Sequence, residues 1–313
     1  MNWPQGPRCW GAVSLGYLLD QILGEPPDEH HPLRSFATVM SATERLVYGD
    51  SRRRGILYAL TGLALGGASG AVIGSTAAAT YLSCGGRALV DASREVEVAL
   101  LTGDLDQARR AAGRIVGRET SNLDQTQLAR AAIESVAENT VDAVVAPLFF
   151  ASIAGAPGAL GYRALNTLDA LVGHRNARYR EFGWASARLD DVANYIPARF
   201  AALVVAIVRP HRIREIARAL RRDAPLHPSP NGGVIEAAFA AALGVRLGGE
   251  NTYHGLREVR AGLGDGRPPA PADIARANRL SRDVTATFAA GLALMALMGT
   301  LRRRSARPWQ NRQ

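Results

Sequence analysis

Three stretches of the chain carry no charged residue: Gly55–Gly86, Ala143–Tyr162 and Val284–Leu301. Each approaches or exceeds the roughly 20 apolar residues that a helix needs to cross a bilayer. Phe200–Val208 is shorter and reaches spanning length only by including Val192–Arg199, while Trp10–Gly24 is a further candidate with Asp20 inside it. The pattern predicts an all-α, multi-pass integral membrane protein with additional amphipathic, re-entrant or surface helices. Its spans are expected at 10–24, 56–83, 143–162, 192–208 and 284–301, in a single domain covering 1–301, followed by a basic disordered tail over 302–313. Buried helices of a soluble all-α protein are the alternative. The 55–86 run is longer than a soluble core helix needs, which favours the membrane.

Between these runs the periodicity changes. Residues 87–117 read as two amphipathic helices broken at Thr102-Gly103-Asp104, and Ser121-Asn122-Leu123-Asp124 starts a helix that runs to about Asp142. Pro147, Pro157 and the Gly-Ala-Pro-Gly run at 155–158 interrupt the segment that follows. A basic helix over 212–222 ends at Asp223-Ala-Pro, residues 226–233 form a stiff, turn-rich loop, and 262–271 reads as a flexible surface connector.

Composition sharpens the chemistry. All 37 basic residues are arginine, so neither a Schiff-base lysine nor a Walker-type phosphate loop exists, and any nucleotide must be held by arginines, amides and a metal. The net charge of +9 does not make a nucleic-acid reading. The arginines instead cluster beside apolar runs, at 52–54, 209–222 and 302–304, as cytoplasmic flanks do. If the spans 56–83, 143–162 and 192–208 all cross, Arg209–Arg222 falls opposite Arg52–Arg54, so one of those segments is expected not to cross. Mean hydropathy is only −0.04 because long polar segments dilute the apolar ones. Cys9 and Cys84 match no metal or redox spacing and read as packing residues.

The segment 117–199 crowds carboxylates, amides and arginines beside an apolar run, which is costly unless they line a site. On the helix through 133–142, Ile133, Val136, Ala137, Thr140 and Val141 share one face, and Glu134, Glu138 and Asp142 form an arc on the other, at i, i+4 and i+8. Like charges at that spacing repel unless a cation or arginines offset them. A solvated acidic face and a Mg²⁺ site are the two readings. Asp191 lies three residues from both Arg188 and Asn194, and Asn166 and Asp169 form another i, i+3 pair ahead of His174-Arg175-Asn176. Together these supply carboxylates for a cation, and Arg118, Arg175 and Arg188 for phosphate or carboxylate groups. His31-Pro-Leu-Arg34 and His227-Pro-Ser-Pro-Asn231 present a histidine from proline-fixed turns, which more often serve structure than catalysis. Zinc spacings are absent.

These motifs, in this order, resemble the CobD/CbiB family of adenosylcobinamide-phosphate synthases of cobalamin biosynthesis. The likeness runs through LLDQILGEPP, HPLR, IVGRETSNLD, ESVAENTVDAVVAPLFF, GAPGALGYRALNTLDALVGHRN, FGWASARLDDVANYIPAR and HPSPNGGVIEAAFAAALGVRLGG. Ala143 stands where many members are expected to carry glycine. The resemblance implies a multi-pass cell-membrane enzyme that joins adenosylcobyric acid to aminopropanol or its phosphate through a new amide. ATP with Mg²⁺ would activate the carboxylate. Under that reading Glu138, Asp142, Asp190 and Asp191 are the metal-binding carboxylates. Arg34, Arg118, Arg175, Arg188, Asp169 and Asn176 face substrate, Asn139, Asn166, Asn194 and Asn231 pair with corrin-rim amides, and Glu134 or His227 is the general base. The bilayer and other cobalamin-assembly enzymes are its expected partners. A corrinoid or ion transporter, and a Mg²⁺-dependent transferase acting on a lipid diphosphate, are the rivals.

Overall fold

The structure is a computed structural model that describes residues 6–26, 31–174, 176–253 and 256–305. Helices dominate, in the order α1 (Pro7–Leu23), α2 (Pro32–Val47), α3 (Arg52–Ile73), α4 (Thr76–Ser83), α5 (Gly86–Leu101), α6 (Leu105–Ala112) and α7 (Gln125–Thr140). A π-helical turn (Val141–Val145) leads into α8 (Ala146–Val172), followed by α9 (Trp184–Val208), α10 (Ile213–Arg222), α11 (Gly232–Leu243) and α12 (Ala272–Ser305). The exception is an antiparallel hairpin, β1 (Leu247–Tyr253) with β2 (Leu256–Leu263), which an all-α expectation did not include. Its register shifts between Leu247 and Gly249, and Gly248 and Gly249 both have positive φ, a bulge suited to glycine. Among the described residues, four helical stretches are long and apolar enough to cross a membrane: 52–73, 125–172, 184–208 and 272–302.

Several expected boundaries hold and several move. The break at 102–104 separates α5 from α6, and Asp124 caps α7 in a reciprocal capping box with Gln127. The run over 56–83 is two helices rather than one: Gly74, at φ 65°, closes α3, and the Ser75 hydroxyl accepts from the Ala78 amide to open α4. α8 kinks at Gly155 (φ 62°, ψ −144°), two residues before Pro157. Residues 262–271 are not a free surface connector. Leu263 is fully buried, the Gly264 amide donates to Asp223 Oδ2 at 2.9 Å, and Arg267 pairs with Asp273 at 2.7 Å. Residues 302–305 continue α12, and the rest of the basic tail lies outside the described residues.

The chain forms two compact units. Residues 1–84, 146–190 and 287–313 make one, and 85–145 with 191–286 make the other. In the first, α3 lies against α8 through Gly62, Gly66 and Gly70. A Cβ on Gly66 would sit 2.4 Å from Ala164 Cβ, and one on Gly70 only 2.3 Å from the Ala156 carbonyl oxygen. Small residues four apart let the two backbones approach, as in helix pairs packed within a bilayer. Met40, Tyr58, Leu168, Val172 and Phe182 fill the adjoining core. In the second unit α7 is buried on nearly every side, from Leu128 to Thr140, and packs against α5 and α11. A solvated acidic face on α7 is therefore excluded.

Candidate active site

The carboxylates of α7 meet their partners inside the second unit. Glu134 is buried, and so is Arg118, whose guanidinium donates to Glu134 Oε2. Glu134 Oε1 accepts the Gly248 amide at 2.8 Å and has Arg130 Nε 3.8 Å away. Arg130 in turn donates to the Gly248 and Glu250 carbonyls. Glu134 is thus satisfied by two arginines and an amide, and it ties α7 to the hairpin. That arrangement suits a latch between helix and hairpin.

One turn further along, Glu138 is half-buried and interacts electrostatically with Glu236 of α11. His227 lies beside them: its Nε2 is 3.3 Å from Glu236 Oε1 and 3.4 Å from Arg260 Nη1. His227 Nδ1 lies 3.1 Å from the Ser229 amide and 3.2 Å from the Ser229 carbonyl, so this ring nitrogen has a backbone partner in either tautomer. Gly232 makes this convergence possible, since a Cβ there would lie 3.0 Å from Glu138 Oε1 and 3.2 Å from His227 Cε1. Burial, with the charge of Glu134 close by, pushes the Glu236 carboxyl well up from the usual carboxylate range. Burial pulls the His227 imidazole below its ordinary value. Both groups are therefore shifted toward neutrality, the signature of sites that exchange protons near pH 7.

Several other expected site residues bond to the scaffold around them. Asn139 donates to Ser135 one turn back in its own helix. Asn231 donates to the Asp191 carbonyl at 2.7 Å and accepts from Arg199, so it is a strut between α9 and the turn before α11. Asn194 is buried on α9, Arg188 is exposed, and Asp142 and Asp191 are half-buried. In the first unit, Asn166 bridges Arg163 and Asp190 at 3.4 Å each, Asn176 accepts the Tyr179 amide, and Asp169 folds over Gly173. His31 caps α2, and Arg34 with Glu25, His31 and Leu33 lines a cavity of about 410 Å³. Arg175 lies outside the described residues. Among the described residues no three His, Cys, Asp or Glu side chains are grouped to hold a metal ion. Glu138 in particular is engaged with another carboxyl.

The fold and this cluster define a helical protein with membrane-length apolar helices and a buried centre of two carboxyls, an imidazole and arginines. The family described as CobD/Cbib protein matches residues 13–281, and the chain belongs to that family of cobalamin biosynthesis proteins. It is 45% identical over 308 residues to the cobalamin biosynthesis protein CobD of Mycobacterium tuberculosis (strain H37Rv), covering 94% of this chain and 96% of the relative. The CobD proteins of Chromobacterium violaceum and Geobacter metallireducens are each 42% identical, over 92% and 84% of this chain and 97% and 89% of their own. No solved structure matches the chain.

Proposed function

We propose that the protein is a cell-membrane amide synthase of cobalamin biosynthesis. It joins adenosylcobyric acid to aminopropanol or its phosphate to give adenosylcobinamide or its phosphate. What carries this reading is the cluster of half-buried Glu138 with Glu236, His227 and Arg260 around Gly232. Amide formation between a carboxylate and an ammonium needs an activated carboxyl and a base, and this cluster supplies the base. The name shared by the relatives supports the pathway.

ATP activates the corrin carboxyl as an acyl phosphate or acyl adenylate. The amine nitrogen then forms the C–N bond, the C–O bond to the phosphorus breaks, and the phosphate or AMP leaves with the bonding electrons. The ammonium proton passes to the base. Arg118 and Arg188 remain the candidates for anionic groups, with Arg118 also holding Glu134 in place. Magnesium takes one or two carboxylates together with substrate phosphates. The half-buried Asp142 and Asp191 fit that demand as hard oxygen donors, and bound Mg²⁺ would neutralise nucleotide phosphate charge. Other cobalamin-assembly enzymes are the expected partners.

Mass spectrometry of products from detergent-purified protein tests the reading. With adenosylcobyric acid, aminopropanol phosphate, ATP and Mg²⁺, a product one amide heavier is expected, and it should vanish when ATP is withheld. Corrinoid binding without any product would replace the synthase with a carrier.

A further inference from the structure

In the first unit, α3 passes within one turn from a charged end to a bare apolar face. Arg52, Arg53 and Arg54 are exposed in its first turn, and Ile56, Leu57 and Leu60 directly after them are exposed as well. Neither Arg53 nor Arg54 meets a carboxylate among the described residues, and Arg54 donates to the Tyr48 carbonyl at 2.9 Å. α8 runs antiparallel to α3, with Gly62 against Leu168 and Gly70 against Ala156, so the turn after α8 comes to the head of α3, where Gly55 meets the Phe182 carbonyl. That turn brings Arg178 and Arg180 to the same end. Aromatic rings hold the arginines in place. Arg178 lies 4.4 Å over the Tyr48 ring, whose hydroxyl donates to the Arg178 carbonyl at 3.0 Å, and Arg52 lies 5.1 Å over the exposed Trp184. The acidic groups here are Glu44, which accepts from Arg178 and the Tyr179 hydroxyl, Glu181, which pairs with Arg52, and the exposed Asp50. With Arg45 in the last turn of α2, six arginines stand against these three carboxylates, and the surface is positive.

We propose that this end of α3 holds the phosphate headgroups of anionic membrane lipids, whose chains lie along Ile56, Leu57 and Leu60. The proposal rests on the membrane reading above and not on the reaction. α3 is long and apolar enough to span, and when it does so the headgroup level falls at its charged first turn. Tyr48, Tyr179 and Trp184 lie at that level, where amphipathic rings gather at a membrane surface. Guanidiniums suit phosphate because they are weakly hydrated, and one stacked on a ring keeps its N–H edge for an anion. Arg52 and Arg178 are both stacked and paired, so they order the surface. Arg53 and Arg54 carry the uncompensated charge together with Arg180, which is 81% exposed with Glu181 3.7 Å away. A zwitterionic headgroup would bring its own cation against these arginines, so the surface selects lipids of net negative charge.

Thermal unfolding of the full chain in a neutral detergent tests this. Phosphatidylglycerol, phosphatidylcholine with the same acyl chains, and inorganic phosphate are each titrated in. Phosphatidylglycerol should raise the melting temperature in a saturable way, and the other two should not. Arg53→Gln combined with Arg180→Gln should weaken its apparent affinity about 25-fold, since each arginine near an anionic surface contributes roughly fivefold. Lysine at both positions should keep most of the affinity, and raised salt should lower it. Both arginines are exposed, so the Gln variant should melt like the wild type in phosphatidylcholine. Should it melt lower there, Arg53→Gln alone decides, with a loss of about fivefold expected. Equal responses to the two lipids overturn the headgroup site, as does a Gln variant that titrates like the wild type. A matching response to inorganic phosphate overturns it in favour of a soluble anion. Wild-type protein recovered in the soluble fraction of lysed cells sinks the membrane reading itself.

Discussion

Glycine does opposite work in the two units. On α3, Gly66 and Gly70 remove side chains so that two backbones touch: a Cβ on Gly70 would meet the Ala156 oxygen at 2.3 Å and Pro157 Cα at 2.7 Å. On α11, Gly232 removes a side chain so that a carboxylate and an imidazole can approach, and a Cβ there would meet the movable end of Glu138 at 3.0 Å. Backbone cannot yield, whereas a side-chain tip can. The first unit therefore uses its small residues for packing, and the second uses one to assemble chemistry. Glu134 and Glu236 divide the same way within the second unit. Glu134 is held by two arginines and an amide, while one Glu236 oxygen lacks a hydrogen bond among the described residues.

The largest effect should come from breaking the satisfied carboxylate. Glu134→Ala leaves Arg118 buried without its counter-charge and frees the Gly248 amide from its acceptor. Losing one partner of a buried pair costs about 3–5 kcal/mol. The variant should melt well below the wild type in detergent, and Arg118→Ala should do the same, with the double variant far from additive. An unmoved melting point would mean that the latch contributes nothing to the fold of this unit.

The packing side of the comparison is probed by Gly70→Leu. The new side chain must push α3 from α8 against backbone atoms, and overpacking of this kind costs about 1–3 kcal/mol. Thermal unfolding in detergent should register that loss, and product formation per folded molecule should stay near wild type because the carboxyl pair belongs to the other unit. Loss of turnover at unchanged stability would contradict the division of labour.

How much of this was legible in the sequence depends on what a residue's neighbours along the chain can reveal. The i, i+4 spacing marked Glu134 and Glu138 as facing one way, but spacing alone could not separate latch from base, because the partners arrive from a loop, a hairpin and another helix. Glu236 did leave a signal: it is the lone charge in GGVIEAAFAAAL, and a solitary carboxyl on an apolar helix is rarely idle. Arg260 left none, since its side of the sheet follows from a register shift at Gly248 and Gly249. Asn231 and Asn139 looked like ligand-binding amides, yet an amide serves a backbone carbonyl equally well. The uncharged run suggests one span over 56–83 because absence of charge measures polarity and says nothing of helix continuity, which Gly74 and Ser75 break.

The smallest and most discriminating change is Gly232→Ala. Gly232 opens α11, where alanine favours the helical backbone by up to about 1 kcal/mol, so stability should hold or rise slightly. The added methyl presses on Glu138 Oε1 and His227 Cε1 by a few tenths of an ångström at the 3.0 and 3.2 Å contacts. Catalytic geometry is less forgiving than stability, and displacements of about 1 Å cost up to about 100-fold in rate. A fall in kcat of several-fold is expected, with an unchanged or higher melting temperature. A variant that loses stability in step with activity would place Gly232 with Gly66 and Gly70, as packing. A variant that keeps full activity would mean that Glu138 need not stand where the glycine lets it.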